Sequence, residues 1–187
     1  MKVSRAQAEE NRERILDNAA QLFRERGFDG IGLNDLMQAA GLTRGGFYGH
    51  FASKDDLAAQ ACARALQRNR EQWQQQPDRS LAAWVQTYLS DAHRDHRGEG
   101  CGLAALAGDA ARGGPAVREV FGEGVQSLVA ALQAQMPAAD AAARRGQALA
   151  MLSTMVGALL LSRAVADEDL SRELREAARE HLPISVD

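Results

Sequence analysis

The sequence predicts an all-α protein, and three observations carry that prediction. Ala, Leu, Arg, Glu and Gln dominate the 187 residues, and these are residues that lose little on entering a helix. No stretch alternates apolar with polar residues over six positions in a β-branched context, as a half-buried strand would require. All four prolines, Pro77, Pro115, Pro137 and Pro183, fall between periodic segments, where a missing amide costs least. Hydrophobic residues make up 45% and charged residues 25%, a mix that excludes a mostly disordered chain. Two cysteines, Cys62 and Cys101, cannot build a disulfide framework, and no signal-peptide pattern marks the N-terminus. A reducing cytoplasm is the expected setting.

Each helix has its own justification. Ile15, Ala19, Leu22 and Phe23 mark one face of a first helix, which Gly27 stops. Leu33, Leu36, Met37 and Ala40 repeat that spacing over a shorter span ended by Gly41, and Thr43 opens a third short helix reaching Phe51. Ser53, with Asp56 three residues on, is a capping box for a long helix over 54–76. Leu81, Trp84, Val85, Tyr88, Leu89 and Ala92 form one wide stripe, so a continuous helix is expected there, followed by a loop over 93–100. Further helices are expected over 102–112, from Pro115 to just before Pro137, over 138–166, and from a cap at Asp167 or Asp169 to about residue 181. The uncharged run over 146–162 spans 17 residues, short of a membrane crossing, and reads as a buried helix; no membrane is expected.

Function is concentrated in one segment. The second and third helices, joined by Gly41 and Leu42, have the dimensions of a helix-turn-helix. The later of the two reads Thr43-Arg44-Gly45-Gly46-Phe47-Tyr48-Gly49-His50-Phe51. Each glycine costs about 1 kcal/mol against Ala in a helix interior, so three of them make sense where backbone must approach something closely. Thr43, Arg44, Tyr48, His50 and Lys54 can donate to phosphates or base edges, and no acid occurs from Gln38 through Lys54. Double-stranded DNA is the partner this pattern points to. Residues 1–54 hold 8 Lys and Arg against 7 Asp and Glu, so affinity has to come from a local patch.

The stretch from Ile15 to Leu57, ILDNAAQLFRERGFDGIGLNDLMQAAGLTRGGFYGHFASKDDL, resembles the DNA-binding domain of the TetR family of transcriptional repressors. The likeness lies in the first helix face, the Arg26-Gly27-Phe28 and Ala40-Gly41-Leu42 turns, the Tyr48, His50 and Phe51 group, and Ser53-Lys54. It implies a DNA-binding domain over 1–53 and a ligand-binding and dimerisation domain over 54–187, bridged by the long helix. It further implies a homodimer acting as a ligand-responsive repressor on a near-palindromic operator, without cofactor or catalysis. Thr43 and Arg44 would meet phosphate or base edges, with close backbone approach at Gly45 and Gly46. Tyr48 and His50 would clamp phosphates, Lys54 would add another phosphate contact, and Phe47 and Phe51 would pack inside. Gly49 and Gly32 depart from the family pattern. The first lacks a side chain usually present, and the second replaces a hydroxyl cap, leaving Asp35 to favour that helix's N-terminus.

The C-terminal part offers less specific features. The element from Gly100 to Leu103 is similar to the redox- and electrophile-sensing branch of the family, which implies a sensor role for Cys101 with its sulfur near free amides. An inert cysteine on a packed turn is the competing reading. Trp84, Tyr88, Met151 and Met155 either line the cavity of an unknown small-molecule effector or are plain core. Leu152, Val156, Leu159, Leu170 and Leu174 exceed what one core covers and predict a two-fold dimer through a four-helix bundle. Asp91, His93, Asp95 and His96 raise the alternative of an all-α metal-binding or catalytic bundle, but their spacing is not that of a structural zinc site, and no metal is expected. Ser80, Ser127, Ser153 and Ser162 have no pairing with His and Asp that would make a nucleophile, so no enzyme is expected.

Overall fold

The computed structural model describes residues 4–136 and 140–182. Pro137, Pro183 and the expected helix start at Ala138 lie outside the described residues. In chain order the helices are α1 (Arg5–Arg26), α2 (Leu33–Ala39), a 3-10 segment (Arg44–Gly49), α3 (Lys54–Gln74), α4 (Leu81–Tyr88) and α5 (Asp91–Asp95). There follow α6 (Gly102–Arg112), α7 (Pro115–Gln135), α8 (Ala141–Ala164) and α9 (Glu168–His181). No strand occurs among the described residues.

Local chemistry sets most boundaries. The Ser4 hydroxyl accepts from the Gln7 amide at the start of α1, and Gly27, at φ 75°, turns the chain out of it while its N–H reaches the Phe23 carbonyl at 2.8 Å. Gly41, at φ 70°, makes the turn between α2 and the 3-10 segment. At α3 the Ser53 hydroxyl accepts from the Asp56 amide at 3.0 Å, and the Asp56 carboxylate accepts from the Ala52 amide, one residue before the position a capping box assigns to it. Asp140 and Asp167 cap α8 and α9 with their carboxylates.

Two expected helices differ. The segment after Thr43 is a 3-10 turn, closed by Gly46 N–H to the Thr43 carbonyl and His50 N–H to the Phe47 carbonyl. Glycines at three of its six residues remove the propensity that would sustain an α-helix. The helix expected over 81–92 stops at Tyr88, because Ser90 caps a new start by accepting from the His93 amide at 3.2 Å. The two carbonyls that a continuing helix would have used are taken by side chains. His93 Nδ1 donates to the Tyr88 carbonyl at 2.6 Å, and Arg175 Nη1 donates to the Leu89 carbonyl at 3.3 Å.

Two apolar cores form. One joins α1, α2, the 3-10 segment and the first half of α3, with Phe23, Phe47, Phe51 and Leu57 at its centre, and it draws in Leu106, Ala110 and Val117 from α6 and α7. The other gathers Trp84, Tyr88, Leu89, Leu103, Leu132, Met151, Met155 and Leu159 from α4 and α6 to α8, with Ala178 of α9. Buried residues therefore do not divide at position 53; α3 belongs to both halves, packing on α1 and on α7. The 24-residue α8 is long and apolar enough to cross a membrane by length and composition, beyond the 17-residue run read from the sequence, but one whole side of it is core.

The last two helices correct the sequence reading. Leu152 and Leu159 lie inside the protomer's own core, and Val156 is half-buried. On α9 the inward face is Ser171, Arg175, Ala178 and Leu182, so the stripe with Leu170 and Leu174 turns outward. Leu149, Leu160, Leu161 and Leu170 are the large apolar side chains left exposed there. Arg175, 1% exposed, bridges α9 to the α4–α5 junction by donating to the Leu89 and Ser171 carbonyls and to Asp91 at 2.6 Å. Arg175→Ala strands buried carbonyls, whereas Asp91 is mostly exposed. In urea denaturation the first should cost about 2–3 kcal/mol and Asp91→Asn under about 1 kcal/mol.

Candidate DNA-binding face and effector cavity

The 3-10 segment is pinned from below. Phe47 and Phe51 are buried and stack with ring centroids 5.8 Å apart, and the Arg12 guanidinium, 5.3 Å from the Phe51 ring centroid, donates to Gln60 of α3. Its outer surface is bare. Thr43, Arg44, Gly45, Gly46, Tyr48 and Gly49 are exposed, and His50 and Lys54 are half-buried at the edge. The Thr43 hydroxyl makes no capping bond, and Tyr48 is 68% exposed, the most exposed large apolar side chain among the described residues. A Cβ at Gly45 or Gly49 would meet nothing within 4 Å, and neither glycine has positive φ. Nothing within the protomer requires glycine at these two positions. Gly32 caps α2 without a side-chain bond, and Asp35 stands in the first turn of that helix.

Behind this face, the far end of α3 lines a cavity of about 230 Å³ together with α4, α5 and the 99–101 segment. Trp73 and Trp84 stack in its wall at 4.1 Å, and Tyr88, His93, Cys101 and Asn69 complete the side facing the chain interior. The Tyr88 hydroxyl is buried without a hydrogen-bond partner. Trp84, Tyr88 and Cys101 are thus brought together. Met151 and Met155 are not among the lining residues and are core side chains, because α8 turns them toward α6 and α7.

Cys101 stands at the N-cap of α6, buried, with no capping bond from its sulfur. Two nearby amides that the sequence left free are occupied: Cys101 N–H donates to His93 Nε2 at 2.8 Å, and Gly102 N–H donates to Asn69 Oδ1 at 2.7 Å. With Nε2 accepting and Nδ1 donating, the network assigns His93 the neutral Nδ1–H tautomer. Both ring nitrogens are spent on backbone, and His96 Nδ1 lies on the Ala92 carbonyl. No group of three metal-ligating side chains occurs among the described residues, so the metal-binding alternative built on His93 and His96 has no geometry behind it.

Sequence reasoning missed the polar residues that hold this region. Arg24, 6% exposed, donates through Nε to the Gly98 carbonyl at 2.7 Å, and Asp109 accepts from the Phe28 amide at 3.1 Å, so the end of α1 is tied to the 98–101 segment and to α6. Arg163 of α8 donates to the His93 and Arg94 carbonyls. No pattern in the chain marks these arginines, since an arginine in a helix reads as a solvated face.

Comparison with known proteins gives a consistent picture. Residues 15–61 match the family model for bacterial regulatory proteins of the tetR family. The chain is 43% identical over 54 residues to the HTH-type transcriptional regulator AcrR of Shigella flexneri, a match covering 29% of this chain and 25% of that protein. It is 42% identical over 65 residues to the HTH-type transcriptional repressor BepR of Brucella suis, covering 35% and 31%. The chain thus matches under a third of the length of either relative. Among solved structures, a TetR transcriptional regulator from Chloroflexus aurantiacus superposes with a TM-score of 0.75 at 26% identity, over 94% of this chain and 93% of that one. E. coli NemR in its reduced form shares the fold, with a TM-score of 0.74 at 23% identity over 93% and 95%.

Burial, above all, lowers the His93 pKa from 6.5, and the nearby Arg163 charge adds to it, against the opposing bond to Tyr88. The folded state therefore favours neutral His93. Its contribution to stability is complete above pH 6.5 and is lost as pH falls through the lowered value. Thermal unfolding from pH 8 to pH 5 should show Tm falling below pH 6.5, and His93→Gln should flatten that part of the curve.

Proposed function

Because the chain belongs to the TetR family of bacterial regulatory proteins, we propose that it is a DNA-binding transcriptional regulator, a repressor acting as a homodimer on a near-palindromic operator. The observation that carries this reading is the bare face of the 3-10 segment: exposed Arg44, Tyr48 and Thr43 around glycines whose Cβ positions open onto empty space. A duplex edge is a partner that needs all of these together. Arg44 and Thr43 reach base edges or phosphate, while Tyr48, His50 and Lys54 hold phosphates, and backbone at Gly45 and Gly46 comes close to the sugar-phosphate chain. Lys54 opens α3, where the helix N-terminus adds its own attraction for phosphate.

Dimerisation rests on the outward apolar stripe of α8 and α9, now Leu149, Leu160, Leu161, Leu170 and Leu174. Gly146 and Gly157, with nothing within 4 Å of their Cβ positions, leave room for a second helix to approach. The effector acts in the aromatic cavity at the far end of α3. That helix is 21 residues long, or about 32 Å at 1.5 Å per residue, and runs without Gly or Pro from the cavity wall at Trp73 to Lys54. A shift at one end moves the other as a rigid element, and so changes the spacing of the two DNA-reading faces.

Binding to random duplex and to selected operator, measured against salt, tests the reading. Lys54→Ala should weaken all duplexes alike and flatten the salt dependence by about one ion, while Arg44→Ala should change sequence preference at a cost of about 1–3 kcal/mol. The selected operator should have two-fold symmetry. If neither substitution moves affinity, the docking is wrong.

Cys101 is the covalent route into the same cavity, since an electrophile added to its sulfur would stand against Tyr88 and the paired tryptophans. Cys62 is the internal control, buried at 0% exposure with its thiol pushed up to about 11 by burial. Titrating operator binding with N-ethylmaleimide should lower affinity in wild type and in Cys62→Ser but not in Cys101→Ser. Equal sensitivity in Cys101→Ser would remove Cys101 as the sensor and leave a reversible ligand.

A further inference from the structure

A second cavity, of about 400 Å³, lies where the end of α1 meets α6 and α8, and it is distinct from the aromatic one. Arginines crowd it. Arg24, Arg26, Arg97, Arg112 and Arg163 line it against two acids, Glu25 and Asp109, in a chain whose formal charge is −3. The acids are engaged elsewhere: Asp109 accepts from the Phe28 amide, and Glu25 accepts from Gln21 at 2.9 Å. Among the described residues Arg24, Arg97 and Arg163 form no ion pair, and Arg112 stands 3.8 Å from Asp109.

Two of these guanidinium groups are also held in place by the backbone and carry a nitrogen without a partner. Arg24 is 6% exposed, and although its Nε and Nη2 hold the Gly98 carbonyl, its Nη1 is buried with no acceptor. Arg163 repeats the pattern from α8: Nε and Nη2 hold the Arg94 and His93 carbonyls, and Nη1 is buried without an acceptor. Both guanidinium groups are held below the ordinary arginine value first by burial, with the Arg68 charge acting further on Arg24 and the Arg97 charge on Arg163. Five guanidinium groups around one cavity favour an anionic ligand whose oxygens accept charge-assisted hydrogen bonds.

We propose that this cavity binds an oxyanion, the phosphate or carboxylate group of a small molecule, held by the arginines that line it, with Arg24 and Arg163 on the inner wall and Arg97 and Arg112 at the exposed rim. The ligand bridges α1 of the N-terminal half to α6 and α8 of the C-terminal half. It therefore acts as a second regulatory input, placed about 18 Å along α1 from Arg12 beneath the DNA-binding face. Its occupancy stiffens the joint that a shift in the aromatic cavity has to move.

Thermal unfolding of the full chain without DNA tests this independently of any operator. Pyrophosphate and citrate are titrated separately against sodium chloride at matched ionic strength, for wild type and Arg97→Gln/Arg112→Gln. The expected result is a saturable Tm rise of about 5 °C with at least one oxyanion, with the midpoint weakened about tenfold or more in the double variant. Both substituted residues are at the surface, but Arg97 also donates to the Arg163 carbonyl at 3.1 Å, so each response is read against that protein's own ligand-free Tm, and general salting effects persist in both proteins and cancel. A response to pyrophosphate alone identifies a phosphate ligand, and one to citrate alone a carboxylate. No rise beyond chloride, or a double variant with the full wild-type response, overturns the proposal.

Discussion

Between Tyr88 and Gly102 the chain has only the short helix α5 for regular structure, and the rest of the structure depends on how its backbone is satisfied. Buried peptide groups have to find partners. Here the partners are side chains from five different helices. His93 takes the Tyr88 carbonyl and the Cys101 amide, Arg175 the Leu89 carbonyl, and Arg163 the His93 and Arg94 carbonyls. Asn69 bonds the Gly100 carbonyl at 3.1 Å and the Gly102 amide, and Arg24 holds the Gly98 carbonyl. This one irregular stretch is therefore the meeting point of α1, α3, α5, α8 and α9. Glycine is needed within it at Gly100, where a Cβ would stand 2.9 Å from the His93 ring that the hub's hydrogen bonds hold in place.

On the proposed function, such a hub would be the link between the cavity and the distant DNA-binding face. The residues that line the aromatic cavity, Asn69 of α3 and His93 and Cys101 of the hub, are the same residues that complete the hub's hydrogen bonds. Two residues along the chain from Gly100, which Asn69 bonds, the Gly98 carbonyl holds Arg24 at the end of α1. Two helices then lead to the proposed DNA-reading face, α3 to Lys54 and α1 to Arg12, beside Phe51. The two helices are further clamped to each other by Arg64 on Glu13 and Asp17 at 2.5 Å, and by Arg68 on Asp17. Coupled in this way, the two helices would shift as one body in the proposed switch.

How much of this the sequence disclosed depends on whether the signal was periodic or polar. Helix stops at Gly27 and Gly41, the Ser53 cap and the glycine-rich face after Thr43 were all legible, because each rests on local chemistry within four residues. The break at Leu89 was not, since the stripe from Leu81 to Ala92 fits one helix and only distant Arg175, together with Ser90 and His93, makes two ends tolerable. The candidate DNA face was legible residue by residue. Of the expected effector set, Trp84, Tyr88 and Cys101 share a cavity while Met151 and Met155 do not, because an apolar side chain in an α8 buried along one side has no periodic mark that distinguishes core from cavity wall.

The inversion of α9 follows from the same logic and bears on assembly. A strongly amphipathic helix is expected to turn its leucines inward, yet here Arg175 goes in and Leu170 goes out. The hub supplies the reason: Arg175 satisfies buried carbonyls at the α4–α5 break, which no leucine can do, and its planar fork reaches Leu89, Ser171 and Asp91 together. Once that face is fixed inward, Leu170 is left exposed and Leu174 half-buried, while Leu160 and Leu161 of α8 are exposed as well. Exposed apolar side chains gathered on adjoining helices mark an interaction surface, and in the proposed dimer a two-fold copy of the same stripe would cover them. The polar demand of one interrupted helix inside the protomer thus sets which surface is left for a partner.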